Sequence, residues 1–302
     1  MPAGGSAAGE DRAGPLRRLL QLRAARAGAR GIGEIMQRPS VLLAELKLTD
    51  VEQYLDGGGD LVLVPTGSTE QHGPHSPLST DVIIPSEVCR RVAGRVGALV
   101  APAVNYGISA GHRGFRGLAY LTSQTFMSVI EDVAYSLAEA GFRRIVFVNG
   151  HYTNYPPIIT ACMNVSTRLP EGTRAWGVSY WEALPPEQLH EYLSLDSGLH
   201  ANVGETSAVM AVRPELVDLD AAVEEWPDFP DFQAPSFPTI LAYFETHPGS
   251  VWTAFRSGVW GDPRSSSAEL GEQFYGWIEE GMTKLIEDVD ETYRRLGVRK
   301  GD

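Results

Sequence analysis

Residues 61–81 read LVLVPTGSTEQHGPHSPLSTD. Leu61 to Val64 is the unbroken apolar run of a strand buried on both faces, and Pro65 closes it. A polar loop follows at once, carrying Glu70, His72, His75 and Asp81. In open parallel sheets ligands bind outside the carboxyl ends of strands, so metal-capable side chains at this position point to an α/β fold with its site on that edge.

The pattern repeats outward from this stretch. Residues 85–97 (PSEVCRRVAGRVG) predict a helix with Ser86 as N-cap beside Pro85. Residues 98–107 (ALVAPAVNYG) predict a strand, and 123–141 a long amphipathic helix closed by Gly141. RRIVFVNGH (143–151) is a strand, 155–169 a helix, TRAWGVSYWE (173–182) a strand and NVGETSAVMAV (202–212) the opening of a helix. A long helix with apolar residues at helical spacing fills 267–297. Strands alternating with helices imply a mostly parallel sheet covered on both faces. Residues 39–302 read as one domain. Residues 1–38, rich in Ala, Gly and Arg, read as a flexible or loosely docked extension. The Pro- and aromatic-rich stretch 224–255 reads as an ordered excursion, a lid or a subunit contact.

Composition narrows the function. The 302 residues carry a formal net charge of −13, which opposes general nucleic-acid binding, because phosphate would be repelled. Two cysteines, Cys89 and Cys162, are too few for a disulfide framework and predict a reducing compartment. No apolar run is long enough to span a membrane and no secretory h-region opens the chain, so the expected location is the cytoplasm.

Several candidate ligands follow strands: Glu70, His72 and Asp81 after 61–65, His151 after the IVFVN strand, Trp181 and Glu182 after WGVSY, with Glu205 near the start of the next helix. If those strands are neighbours, these groups meet on one sheet edge. Imidazole with carboxylate suits Zn²⁺, Mn²⁺ or Fe²⁺. Two histidines and three carboxylates exceed the need of one tetrahedral ion and predict two divalent ions per chain, with Asp81 as the bridging carboxylate.

GSTEQHGPHSPLSTD, VNGHYTN, SYWE and GETS together resemble the creatininase family, also called creatinine amidohydrolases, from about Glu45 to Asp220, with a weaker match through the last helix. The resemblance implies a Rossmann-related three-layer sandwich, a dinuclear centre, commonly a hexamer, and hydrolysis of C–N bonds in cyclic or linear amides. Glu70, His72, Asp81 and His151 match the family's metal ligands. His200, five residues before Glu205, matches its proton-relaying histidine. Two departures stand out. Thr153 replaces a metal-binding glutamate two positions after the N-G-H histidine, so Glu205 is expected to supply that ligand. The stretch GHRGFRGLAYLTS (111–123) replaces a neutral one bordering the substrate.

The reading is therefore a metal-dependent amidohydrolase of a small, cyclic or anionic amide, using a metal-activated water. His200 and Glu205 are assigned to catalysis, and Trp181, Glu182, His112, Arg116 and Tyr152 to the substrate, with Arg113 beside them as a further anion-binding group. A peptidase branch of the same family, a deformylase and a non-catalytic metal-holding oligomer are the alternatives.

Overall fold

The computed structural model describes residues 39–194, 196–227, 243–244 and 246–297. The 1–38 extension and much of the 224–255 excursion lie outside them. In chain order the main elements are α1 (Leu48–Asp56), β1 (Leu61–Thr66), α2 (Thr80–Val96), β2 (Leu99–Val100), α3 (Ser123–Glu139), β3 (Arg144–Asn149), α4 (Tyr155–Ser166), β4 (Arg174–Ser179), α5 (Pro186–Tyr192), α6 (Val203–Val212), α7 (Ser250–Ala254) and α8 (Ala268–Arg295).

The four strands form one parallel sheet in the order β2-β1-β3-β4. Successive side chains of a strand point to opposite faces, and both faces are covered. Leu61 and Leu63 of β1 pack with Val146 and Val148 of β3 against α2, α6 and α8. Val62 and Val64 pack with Ile145 and Phe147 against α3 and α4. That is why β1 is apolar at every position to Pro65, and it makes the three layers expected from the sequence. α8 buries Phe274, Tyr275, Ile278, Met282 and Ile286 along one stripe, and Ser267 caps it by accepting the Leu270 N–H at 3.1 Å.

Two sequence expectations are corrected. The second helix does not begin at Ser86; it starts at Thr80, with Pro85 inside it. Ser86 donates its hydroxyl back to Val82 O at 2.6 Å and caps nothing. Proline in the second turn read as a helix start, but packing against the sheet carries the helix through it, and this places Asp81 in the first turn of a helix rather than in a loop. The strand expected over 98–107 shrinks to Leu99–Val100, because Pro102 has no N–H for a ladder. Beyond it, Val104 N–H reaches Pro65 O at 2.9 Å.

Both cysteines are buried and unpaired. Among the described residues no helix is long and apolar enough to cross a membrane.

The strand order explains where a site can form. From β1 the chain steps to β2 on one side, while β3 steps to β4 on the other, so the connections diverge between β1 and β3 and leave a crevice at their carboxyl ends. Glu70 leaves β1 and His151 leaves β3 at that crevice.

Candidate functional site

The loop after β1 is turned by Gly73 (φ +66°) and held by Glu70 N–H donating to Leu78 O at 3.0 Å. It delivers Glu70 and His72 to the crevice and leads into α2, whose first turn carries Asp81. Gly67 allows this approach: a Cβ there would lie 2.2 Å from the Asp81 carbonyl oxygen. His151 follows β3. Glu205 is the third residue of α6, where Asn202 caps the helix by accepting Glu205 N–H at 2.9 Å. Its carboxylate stands at the positive end of the helix dipole.

These five side chains converge. Donor atoms of Glu70, Asp81 and His151 lie within 4.8 Å of one another, as do those of His72, Asp81 and Glu205, and those of Glu70, His72 and His200. The first two triads share Asp81. Its Oδ1 is 3.0 Å from His72 Nε2 and its Oδ2 is 2.9 Å from His151 Nδ1. Glu70 Oε2 is 3.1 Å from His151 Nδ1. Glu70, His72, Asp81, His151 and Glu205 are all buried.

A buried carboxylate is costly unless a cation or hydrogen bonds compensate it. Burial pushes the Glu70 carboxyl above its usual range despite His151, and pushes Glu205 up to about 7. Burial opposes protonation of His72, but Asp81, with Glu205 and Glu70, outweighs it and raises the imidazole to about 9. Burial likewise opposes a charge on His151, yet Glu70 and Asp81 raise it well above its usual value. Burial would raise Asp81, but His72 and His151 hold it well below the carboxylate range. Three acids thus share a cavity that calls for positive charge. Glu70 Oε2 and His72 Nε2 are buried and close to His151 and Asp81, but neither contact has the alignment of a hydrogen bond. A mixed oxygen and imidazole set with unsatisfied donor atoms fits a divalent transition metal.

His200 stands beside this cluster with its Nδ1 4.0 Å from Glu70 Oε1 and its ring centroid 4.4 Å from that of His72. Burial, with the charge on His72, lowers His200 to about 3, so it is neutral at physiological pH. Thr153 is no ligand: its hydroxyl donates to Ile108 O and lies 2.6 Å from His151 Nε2, behind the imidazole that faces the acids.

The residues assigned to substrate divide. His112 is buried in the cluster itself, with Nε2 3.3 Å from Glu70 Oε1. Arg113 and Arg116, just beyond it, are exposed and form no ion pair among the described residues. Tyr152 is exposed in the turn after His151. Trp181 packs edge-on to Tyr180 at 4.9 Å against the core. The Glu182 carboxylate accepts the Ser179 N–H at 2.9 Å and caps its own turn. His75 is buried, but its Nε2 meets the Thr206 hydroxyl at 2.9 Å and it joins none of the ligand triads.

Gln71 was not singled out from the sequence. It is buried against His112 and His200, and an amide between two ligand residues carries no signal of its own. A separate cavity of about 430 Å³ lies at the β2 edge, lined by Leu42, Pro65, Ile83 and Val212. Its charged groups Glu87, Arg90 and Arg213 are already paired, which leaves none for chemistry.

Comparison with known proteins identifies the family. The family model described as creatininase, creatinine amidohydrolase, matches residues 44–286. The chain is 31% identical over 264 residues to the creatinine amidohydrolase of Pseudomonas putida, covering 82% of this chain and 97% of that protein. It is also 31% identical over 244 residues to the mycofactocin precursor peptide peptidase of Mycolicibacterium smegmatis, covering 79% and 89%. A solved structure described as "Creatininase Mn" superposes with a TM-score of 0.70 at 30% identity, covering 82% of this chain and 98% of that one.

Proposed function

Because the chain belongs to the creatininase family, whose members are hydrolases acting on C–N amide bonds, we propose that it is a dinuclear metal-dependent amidohydrolase of a small amide carrying an anionic group. The observation that carries this reading is the sharing of Asp81 between two ligand triads, Glu70–Asp81–His151 and His72–Asp81–Glu205. A carboxylate with one oxygen toward each triad suits a bridge between two ions about 3.5–4 Å apart. Zn²⁺ and Mn²⁺ match the donor set, and Fe²⁺ is compatible with it.

When bound, such ions supply Lewis-acid polarisation of a carbonyl and acidify water towards neutrality. The chain supplies the rest. His200, neutral at pH 7, would take at Nδ1 the proton released by the water that adds to the carbonyl carbon, and return it to the amine nitrogen as the C–N bond breaks, since an amine leaves poorly unless protonated. Glu205 holds its place through the Ala201 N–H at 2.7 Å. Arg113 and Arg116, exposed beyond His112, offer planar donors to a carboxylate or phosphate on the substrate.

A peptidase activity is the second reading, favoured by the equal identity to the mycofactocin precursor peptide peptidase. A panel of creatinine, acyclic anionic amides, neutral amides and short peptides, run on zinc- and manganese-loaded protein, tests both. Turnover of anionic amides above the others supports the first reading. Cleavage of peptides alone supports the second. Fast creatinine hydrolysis, or no turnover of any member, counts against the proposed substrate.

The same reading carries a homo-oligomer, a hexamer by family resemblance, located in the cytoplasm. Exposed Trp226 and Trp252 support an interface. A monomer mass by light scattering would remove that part.

A further inference from the structure

Gln71 stands between two of the ligand residues, but its side chain points to a different set of neighbours. Oε1 accepts the Gly73 N–H at 2.9 Å. Nε2 lies 3.1 Å from Gly258 O, 3.1 Å from His112 Nδ1 and 3.1 Å from His200 Nε2. The amide cannot be turned the other way. Reversal would put its NH2 against the Gly73 N–H and its oxygen against Gly258 O, donor on donor and acceptor on acceptor. Gly258 is built around it: the backbone is left-handed (φ +82°), and a Cβ there would lie 2.0 Å from Gln71 Oε1.

The hydrogens can now be counted. An amide NH2 has two, and a backbone carbonyl only accepts. Gly258 O takes one. His200 Nε2 also lies 2.8 Å from the Gln71 backbone carbonyl. That oxygen can only accept, so His200 Nε2 carries the hydrogen and cannot receive one from the amide. The second amide hydrogen goes to His112 Nδ1, which is therefore a lone pair. A neutral His112 then carries its hydrogen on Nε2, where the Glu70 carboxylate lies 3.3 Å away. Each donor has one acceptor, and the neutral His200 is left with its lone pair on Nδ1, the nitrogen 4.0 Å from Glu70 Oε1.

We propose that Gln71 is a positioning residue that fixes the tautomers of both histidines, holding His200 with a free Nδ1 facing the reaction and His112 with an Nε2–H donating to Glu70. The second function follows from the first: His112 orients a carboxylate that belongs to the ligand set, as outer partners of metal ligands commonly do. That His112 Nδ1 accepts and His200 Nε2 donates rests on the hydrogen-bond geometry alone, and only the catalytic consequence rests on the hydrolase reading.

The test is long-range ¹H–¹⁵N correlation of the imidazoles in the full chain, zinc-loaded and zinc-free, with His112→Asn and His200→Asn variants for assignment. Both histidines should be Nε2–H tautomers in the unmodified protein. Gln71→Glu keeps the volume and loses the donor, so His112 should move its hydrogen to Nδ1 and withdraw it from Glu70. Gln71→Met should leave His112 a mixture of tautomers. In both variants kcat should fall about 10- to 100-fold with KM and zinc content little changed. An Nδ1–H tautomer at either histidine of the unmodified protein overturns the proposal, as does an unaltered His112 tautomer in both variants. The spectra decide the matter even if no amide is turned over, so failure of the hydrolase reading would be seen separately.

Discussion

Ala201 donates its backbone N–H to Glu205 Oε2 at 2.7 Å from a left-handed backbone conformation, φ +50°. A non-glycine residue held there costs about 1 kcal/mol or more, and the result is a carboxylate fixed on the side facing His72, 3.9 Å away. Glu205→Gln retains an acceptor for Ala201 but not the negative charge. Metal analysis of the zinc-loaded variant should find one ion fewer per chain, the Glu70–Asp81–His151 triad keeping its own. Full occupancy would remove Glu205 from the ligand set and reopen the question of what replaces the carboxylate lacking at Thr153.

Asp81→Asn is expected to be more severe. An amide cannot offer two anionic oxygens, so both triads lose a ligand at once. Zinc content should fall below one ion per chain, and kcat/KM should drop at least about 1,000-fold, some 4 kcal/mol of transition-state stabilisation. A variant that kept its full metal content would refute the bridging role.

His200→Ala separates proton transfer from metal binding. With the triads intact, metal content should be unchanged, while kcat should fall by about 10²–10⁴, the range of a positioned acid–base group. Parallel loss of metal would instead make His200 a ligand, as its grouping with Glu70 and His72 allows.

Arg113→Ala and Arg116→Ala address the substrate. Both side chains are exposed and form no ion pair among the described residues, so folding stability should change by less than about 0.5 kcal/mol. If they clamp an anion, kcat/KM for anionic amides should fall by roughly 1.5–3 kcal/mol equivalent, and that for neutral amides should hold. Equal losses on both classes would show that the arginines do not read charge.

The metal-free protein should lose stability as pH rises from 6.5 to 9. His72 is raised to about 9 in the fold, so the stability from its proton is complete below its ordinary value near 6.5 and is lost as pH rises through 9. Glu205, pushed up to about 7 by burial, has the same sign because the fold favours its neutral form, but its contribution is lost lower, between about 4.5 and 7. His75 and His200, lowered by burial to about 4 and about 3, act oppositely, but only below about 6.5, where the unfolded chain takes up their protons. Melting temperatures across this range should fall for the metal-free protein and change less for the zinc-loaded one. A flat metal-free profile would mean that His72 does not hold its proton.

What was legible in the sequence was local. Leu61–Val64 showed a strand buried on both faces, because each position of such a strand meets apolar side chains from one covering layer or the other. The E-Q-H loop and the N-G-H turn showed which residues leave strand ends, because chain direction alone puts them there. Alternation of strands and helices then fixed the layers. Helix limits were less legible: Pro85 read as a start, and only packing of the first turn against the sheet shows Asp81 to be helical. Tertiary structure alone decided which residues meet. Gln71 and His200 are 129 positions apart, yet their side chains lie 3.1 Å from each other. Nothing in residue type or spacing marks Gln71 as the residue whose side-chain amide meets His112 and whose backbone carbonyl meets His200, or separates His112, buried against Glu70, from the exposed Arg113 and Arg116 beside it. Those distinctions arise when the β2-β1-β3-β4 order opens a crevice between β1 and β3 and the chain returns to it from α6 and from Gly258. Hydrogen bonds act over about 3 Å, and only the folded chain places partners so distant in sequence within that reach.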